Sequence, residues 1–253
     1  MLKKSVEVDQ IDSAAVIRIN RPDNFNALDV DVLKEMTDLV ARAAVDDNTA
    51  ALIITGTGNS FCSGGDLSFI RDYNGSKREA LGILTKYLHR LILDLRQLPK
   101  PVIAAVNGTA AGAGMSLCMA CDLRIAADSA KFKQAYTSVG LVPDGGWNVL
   151  VGQQLGSARA SELLLLDPVF DADTALRYSL VNRVVIPDEL MSTAFEFARK
   201  AGGRLASFAR SKTLLNVALA GNLENMLEAE RQAIMTAGES EAFQTALENF
   251  FAK

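Results

Sequence analysis

Apolar positions in this chain change their period several times, and each change marks an element. Val6 and Val8, then Val16, Ile17 and Ile19, flank a polar stretch at 9–13, the pattern of a two-stranded hairpin. Leu33, Met36, Leu39, Val40 and Ala43 recur at three- and four-residue spacing, which predicts a helix capped by Asp29 or Asp31. A short apolar run over 51–55 predicts a buried strand that ends in Gly56-Thr57-Gly58-Asn59-Ser60. An amphipathic helix is predicted over 77–98, stopped by Pro99 and Pro101. Residues 102–106 give another buried strand, 112–119 a helix of small residues, and 122–126 a further strand.

Strands thus alternate with helices to about residue 185, which predicts stacked α/β units. Beyond Pro187 the periodicity is helical only, over 189–200, 207–220, 223–236 and 240–251. The expected organisation is therefore a core, 1–187, and a helical region, 188–253, that packs on the core or on another subunit.

Composition narrows the choice. Of the 253 residues 49% are hydrophobic and 22% charged, enough apolar material for a sizeable core. Lys and Arg total 26 against 30 Asp and Glu, a net charge of −4 without a basic cluster, so no nucleic-acid partner is expected. The longest apolar runs are far short of a membrane span, and no apolar h-region follows Met1-Leu2-Lys3-Lys4. No membrane association or secretory signal is expected. Three cysteines are too few for a disulfide framework and suit a reducing compartment, so the expected location is cytoplasmic.

Several apparent motifs fail on inspection. Cys118-x-x-Cys121 would need two more ligands, and only Cys62 and His89 remain of the right types, so no metal site is expected. Gly112-x-Gly114 has Leu117 where a dinucleotide fingerprint needs its third glycine. Gly114-x-Ser116-x-Cys118 lacks the last glycine of a nucleophile elbow, and His89 precedes the serine instead of following it.

Two glycine-rich segments are better placed for chemistry. Phe61-Cys62-Ser63-Gly64-Gly65-Asp66-Leu67 and Asn107-Gly108-Thr109-Ala110-Ala111-Gly112-Ala113-Gly114 each follow a predicted strand. Adjacent glycines let backbone N–H groups converge on a ligand oxygen, and a helix N-terminus favours developing negative charge. Two such donors are the parts of an oxyanion hole, although glycine-rich turns in α/β proteins also serve purely structural ends.

The wording of these segments adds to their spacing. Asn20-Arg21-Pro22, Asn26-Ala27-Leu28, Ser63-Gly64-Gly65-Asp66-Leu67, the run from Pro99 to Gly108, and Gly140-Leu141-Val142-Pro143-Asp144-Gly145-Gly146 together resemble the enoyl-CoA hydratase/isomerase (crotonase) superfamily over nearly the whole chain. The resemblance implies a crotonase-like spiral of ββα units with a C-terminal helical region that builds trimers, or dimers of trimers. It implies an acyl-CoA thioester as substrate, coenzyme A entering only as part of that substrate, and no separate cofactor. Matched by motif, the enolate would be held by the N–H groups of Gly65 and Ala113.

The resemblance also implies where the side-chain chemistry departs from hydration. The two glutamates of the hydratases match Ser116 and Tyr136, neither of which is a carboxylate. Asp144 matches the acid of the enoyl-CoA and 1,2-epoxyphenylacetyl-CoA isomerases, and one carboxylate suffices to move a proton from C2 to C4. Taken without the resemblance, Asp144 would simply cap a helix running through Trp147 and Leu150. His89 lies near the general-base position of the 4-chlorobenzoyl-CoA dehalogenases; otherwise it reads as a partly exposed helix residue. Ser63, Asp66 and Leu67 match the CoA-binding segment; Trp147 and Tyr136 either line the acyl pocket or belong to the core; Lys212, Phe250 and Lys253 fall in regions that reach a neighbour's CoA, or serve as solvated-surface or packing residues. Four readings follow: an isomerase using Asp144, an enoyl-CoA hydratase-like lyase, a hydrolase or dehalogenase using Asp144 with His89, and a CoA-binding scaffold without turnover.

Overall fold

The computed structural model describes residues 4–220 and 223–252. The hairpin forms as its alternation predicts, with β1 (Val6–Ile11) antiparallel to β2 (Ala14–Ile19). Beside β2 run β3 (Ala51–Gly56), β5 (Val102–Val106), β7 (Leu123–Ala127) and β10 (Arg183–Val185), all parallel, in a six-stranded sheet ordered β1-β2-β3-β5-β7-β10. Residues of β3 and β5 are buried on both faces, which is why they read as continuous apolar runs.

A second sheet escaped the periodicity. β4 (Ser60–Cys62), β6 (Thr109–Ala111), β8 (Lys131–Lys133) and β9 (Phe170–Asp171) are two or three residues long, too short to show a period of two. β4, β6 and β8 are parallel, with β9 antiparallel at the edge. Each turn of the chain therefore gives one strand to the large sheet, one to the small sheet, and then a helix. β3 and β4 lead to α2 (Leu67–Asp72) and α3 (Lys77–Gln97). β5 and β6 lead to α4 (Ala113–Ala120), and β7 and β8 lead to α5 (Trp147–Leu166). This is the ββα spiral.

Local chemistry sets the helix ends. Asp29 accepts a hydrogen bond from the Val32 N–H at 2.9 Å and caps α1 (Val30–Val45); Asp31, the other candidate, lies inside the first turn. A Ser76–Glu79 capping box starts α3. After α6 (Ala172–Arg177) the chain forms α7 (Leu190–Gly202), α8 (Leu205–Ala220), α9 (Leu223–Ala237) and α10 (Glu241–Phe251). Leu190, Ala194 and Ala198 of α7 close one face of the large sheet over Val16, Ile53, Ile103 and Ile125. Each fully buried aliphatic side chain there is worth about 1.5–3 kcal/mol. α9 packs along α3, and α10 along the turn at 137–139. No helix among the described residues is long and apolar enough to cross a membrane.

The two lysines of the helical region fare differently. Lys212 is buried, not poised over a ligand. Its Nζ pairs with Asp122 at 2.7 Å and donates to the Leu95 carbonyl at 2.9 Å, tying α8 to the core. Lys253 lies outside the described residues.

Candidate active site

The motif residues that identify the site are mostly its framework. Asn26 donates to the carbonyls of Thr57 and Ser60, at 2.9 and 2.6 Å, and accepts from the Arg21 N–H at 2.9 Å. Arg21 in turn reaches the Ala27 carbonyl and the Asp66 carboxylate, at 2.6 and 2.8 Å. Asp66 also accepts from the Ser68 N–H at 2.9 Å, as the cap of α2. Together these bonds fix the loop between β4 and α2 against the loop after β2.

Held this way, the two glycine loops touch. Gly64 has φ +109°, and a Cβ there would lie 3.1 Å from the Ala111 carbonyl oxygen and 3.3 Å from the Ala113 nitrogen. Gly114, in the first turn of α4, would place a Cβ 2.1 Å from the Cys62 carbonyl oxygen, so this approach of helix to strand requires glycine. The N–H groups of Gly65 and Ala113 take no acceptor among the described residues. Ala113 is the first residue of α4, where helical backbone accommodates its methyl group and leaves the N–H unpaired. Two unpaired backbone donors thus lie on touching loops at the wall of one cavity.

A cavity of about 490 Å³ is lined by both donors. Gly65, Ala113, Ser63, Asp66, Leu67, Tyr136 and Asp144 all line it, with Leu81, Leu84 and Leu88 of α3, Ile234 of α9 and Phe250 of α10. The Asp66 carboxylate is committed to Arg21 and Ser68, so this residue shapes the wall more than it offers a free charge. Phe250 reaches the cavity of its own chain. Trp147 is buried in the core and does not line the cavity. Its place as first residue of α5, just behind the loop, puts its ring into the apolar interior.

Asp144 does not cap α5. Gly146 holds the cap position without a side-chain bond, and the Asp144 carboxylate accepts the Tyr136 hydroxyl proton at Oδ1, 2.5 Å away. Burial pushes the carboxyl up to about 7, reinforced by the negative Glu230 and opposed by the Tyr136 bond, which favours the ionised form. The Tyr136 hydroxyl stands well above its usual range, first through burial and then through the Asp144 charge. Ser116 does not line the cavity; its Oγ donates to the Asp144 carbonyl oxygen at 2.7 Å and braces the loop.

His89 is buried, contrary to the partly exposed position expected from the sequence. It falls on the inward stripe of α3 with Thr85, Leu88 and Ile92. Nε2 accepts the Gly145 N–H at 3.2 Å, and burial first, then Arg231, lowers its pKa to about 4. The ring is neutral, occupied, and outside the cavity lining.

Sequence reasoning missed Glu230. It is buried on α9 and accepts from the N–H of Gly146 at 2.8 Å and from the N–H and amide of Asn148 at 3.3 and 2.9 Å. The carboxylate thereby satisfies the first N–H groups of α5 in place of a local cap. Its signal is visible in retrospect: Leu223, Leu227, Glu230 and Ile234 form one inward stripe, and a charge on such a stripe needs a partner. Burial pushes the Cys62 and Cys118 thiols up to about 12, which leaves neither as a thiolate nucleophile. No metal-ligating cluster of His, Cys, Asp and Glu occurs among the described residues.

Comparison with known proteins places this geometry in company. The model of a family described as enoyl-CoA hydratase/isomerase matches residues 9–253. A short-chain-enoyl-CoA hydratase of Clostridium acetobutylicum is 36% identical over 251 residues, 98% of this chain and 95% of that one. A 1,2-epoxyphenylacetyl-CoA isomerase of Escherichia coli is 33% identical over 239 residues, covering 94% and 91%. Among solved structures, an enoyl-CoA hydratase from Mycobacterium avium subsp. paratuberculosis superposes with a TM-score of 0.88 at 30% identity, over 98% of this chain and 99% of that one.

Proposed function

The chain belongs to the enoyl-CoA hydratase/isomerase family, and from that premise we propose that it is an enoyl-CoA isomerase working with one carboxylate base. The observation that carries this reading is Asp144: a buried carboxylate with a pKa near 7, lining the same cavity as the unpaired N–H groups of Gly65 and Ala113. The thioester oxygen sits between the two N–H groups, which stabilise the charge that develops when C2 loses its proton. Asp144 takes that proton and returns it at C4, and the double bond moves by one position. A base with its pKa near the working pH serves both halves of that transfer. The shift is redox-neutral, so we assign no cofactor beyond the coenzyme A that the substrate carries.

Hydration is the second reading, favoured by the printed names of relatives such as the Clostridium acetobutylicum enzyme. Against it stand Ser116 and Tyr136 at the two positions where the hydratases carry glutamates. Hydrolysis or dehalogenation through His89 is disfavoured by the ring's bond to Gly145 and its place outside the cavity lining. Self-association, as a homotrimer or a dimer of trimers, is in keeping with exposed Leu214, Leu215 and Val217 on α8. A cytoplasmic location is supported by the three free cysteines.

The deciding experiment is mass spectrometry of 3-hexenoyl-CoA incubated with the protein in heavy water. The expected product is 2-hexenoyl-CoA without added water, carrying little deuterium when the same proton is returned at C4, and it is lost in Asp144→Asn. A water adduct as the main product replaces the isomerase reading with hydration; no conversion of any acyl-CoA, with binding retained, leaves the scaffold reading.

A further inference from the structure

The direction of the Tyr136–Asp144 bond follows from its neighbours. The single proton of Ser116 Oγ goes to the Asp144 carbonyl, and Ser116 stands 3.4 Å from the Tyr136 oxygen. Tyr136 therefore keeps its own proton for Asp144 Oδ1. Tyr136 is the described side chain that donates to this carboxylate, and the residue's own N–H adds a backbone hydrogen bond; with Oδ1 taken by Tyr136, proton transfer in the cavity that Asp144 lines is assigned to Oδ2.

The segment carrying Tyr136 is held in an unusual conformation. Ala135, the residue before it, has φ +57°, a left-handed backbone that a Cβ disfavours. The Ala135 N–H is fixed by Asp167 Oδ1 at 2.9 Å, and the Tyr136 N–H by Gln134 Oε1 at 3.0 Å. Strain held by bonds on both sides gathers where a side chain must be aimed. Around the pair, α9 brings Glu230 and α4 the uncharged Ser116, while His89 of α3 meets the same loop at Gly145.

Resting on the reading of Asp144 as base, we propose that Tyr136 is a positioning residue that keeps Asp144 ionised and presents Oδ2 to the C2 proton. A hydrogen bond to a charged acceptor is roughly twice as strong as one to a neutral acceptor. The Tyr136 bond therefore favours the carboxylate before the reaction and weakens when Oδ2 takes the proton. The C2–H electron pair moves toward the thioester oxygen, and the proton resides on Oδ2. When the dienolate collapses, C4 receives that proton and Asp144 is again ionised. The Tyr136 proton stays on Tyr136 throughout. A phenylalanine would fill the same volume and do none of this.

The test is an infrared titration of protein labelled with carboxyl-13C aspartate, with the Asp144→Asn spectrum subtracted to isolate one carboxyl group. The expected midpoint is near 7 in the natural protein and about one to two pH units higher in Tyr136→Phe. The acid limb of kcat/KM moves by the same amount, and activity is recovered at high pH. A ring-fluorinated tyrosine at 136, a stronger donor, moves the midpoint the other way. An unmoved midpoint in both variants, or an activity loss equal at every pH, overturns the proposal. Full turnover by Asp144→Asn would instead remove the base reading, while the infrared midpoint still decides whether Tyr136 holds the carboxylate ionised.

Discussion

The two ends of the cavity are built from different materials. At the outer end the chemistry belongs to the backbone: the N–H groups of Gly65 and Ala113, aimed by loops that Arg21, Asn26 and Asp66 hold in place. At the inner end it belongs to side chains, with Asp144 set by Tyr136, Ser116 and Glu230 from three other elements. A backbone donor survives most substitutions at its own position, so the methyl group of Ala113 leaves its N–H in place. A side-chain base depends on its residue type and on every charge around it. The outer end can therefore be shared across many reactions, whereas the inner end decides which reaction occurs.

Replacing the inner end should have the largest effect. Asp144→Asn is expected to lower isomerisation by about 10³-fold. The same change should stabilise the fold. The folded pKa is raised, so the native state retains a proton that the unfolded chain has released between about pH 4 and 7. Relative to the variant, stability of the natural protein then falls as pH rises through that window and stays low above it. Thermal unfolding should find the two proteins alike near pH 4 and the variant ahead by about 2–4 kcal/mol at pH 8.

The outer end needs a substitution that removes an N–H group. Ala113→Pro does so at the first position of a helix, where proline is tolerated. It is expected to cost about 10²–10³ in kcat, with an unchanged acid limb; a shifted limb would mean that the two ends are not separable. Glu230→Gln sharpens the same contrast. Removing its charge lowers the Asp144 pKa, so the acid limb should move below 7, opposite to Tyr136→Phe. Unfolding should show a loss of about 1–3 kcal/mol, because an amide cannot accept all three N–H bonds. His89→Gln is the mildest change. Glutamine still accepts from Gly145, so turnover should be kept, whereas a hydrolytic role for His89 would be abolished. Relative to this variant, the natural protein should lose stability as pH falls from about 6.5 toward 4, since the unfolded chain protonates its imidazole first; this His89 contribution opposes that of Asp144.

What could be read from the sequence divides along the same line. The large sheet, α1, α3, the helical region and both glycine loops have signals within a few residues of one another, in periodicity, caps and glycines. Asp144 is locally indistinguishable from a helix cap, and its resemblance to family members was what singled it out. The small sheet was hidden because strands such as Phe170–Asp171 are stabilised by partners and not by their own pattern. Glu230 was overlooked because a buried charge is interpretable only with its partners, and Gly146 and Asn148 lie more than 80 positions away. Lys212 and Trp147 are ambiguous in the sequence for the converse reason: a solvated amine and a paired one look the same in a string of letters, as do a pocket indole and a core indole.

The position of Phe250 has a consequence for how the protein is made. The cavity wall begins at Asp23 and is completed by α9 and α10. A ribosome must thread residue 250 through its exit tunnel before the substrate has a closed chamber to enter. Nascent chains can build both sheets and bring the oxyanion donors together, yet the apolar lining laid down by α3 stays open to solvent or chaperone until the last helix docks. Appearance of activity during synthesis thus reports the docking of that helix, later than any signal from the sheets.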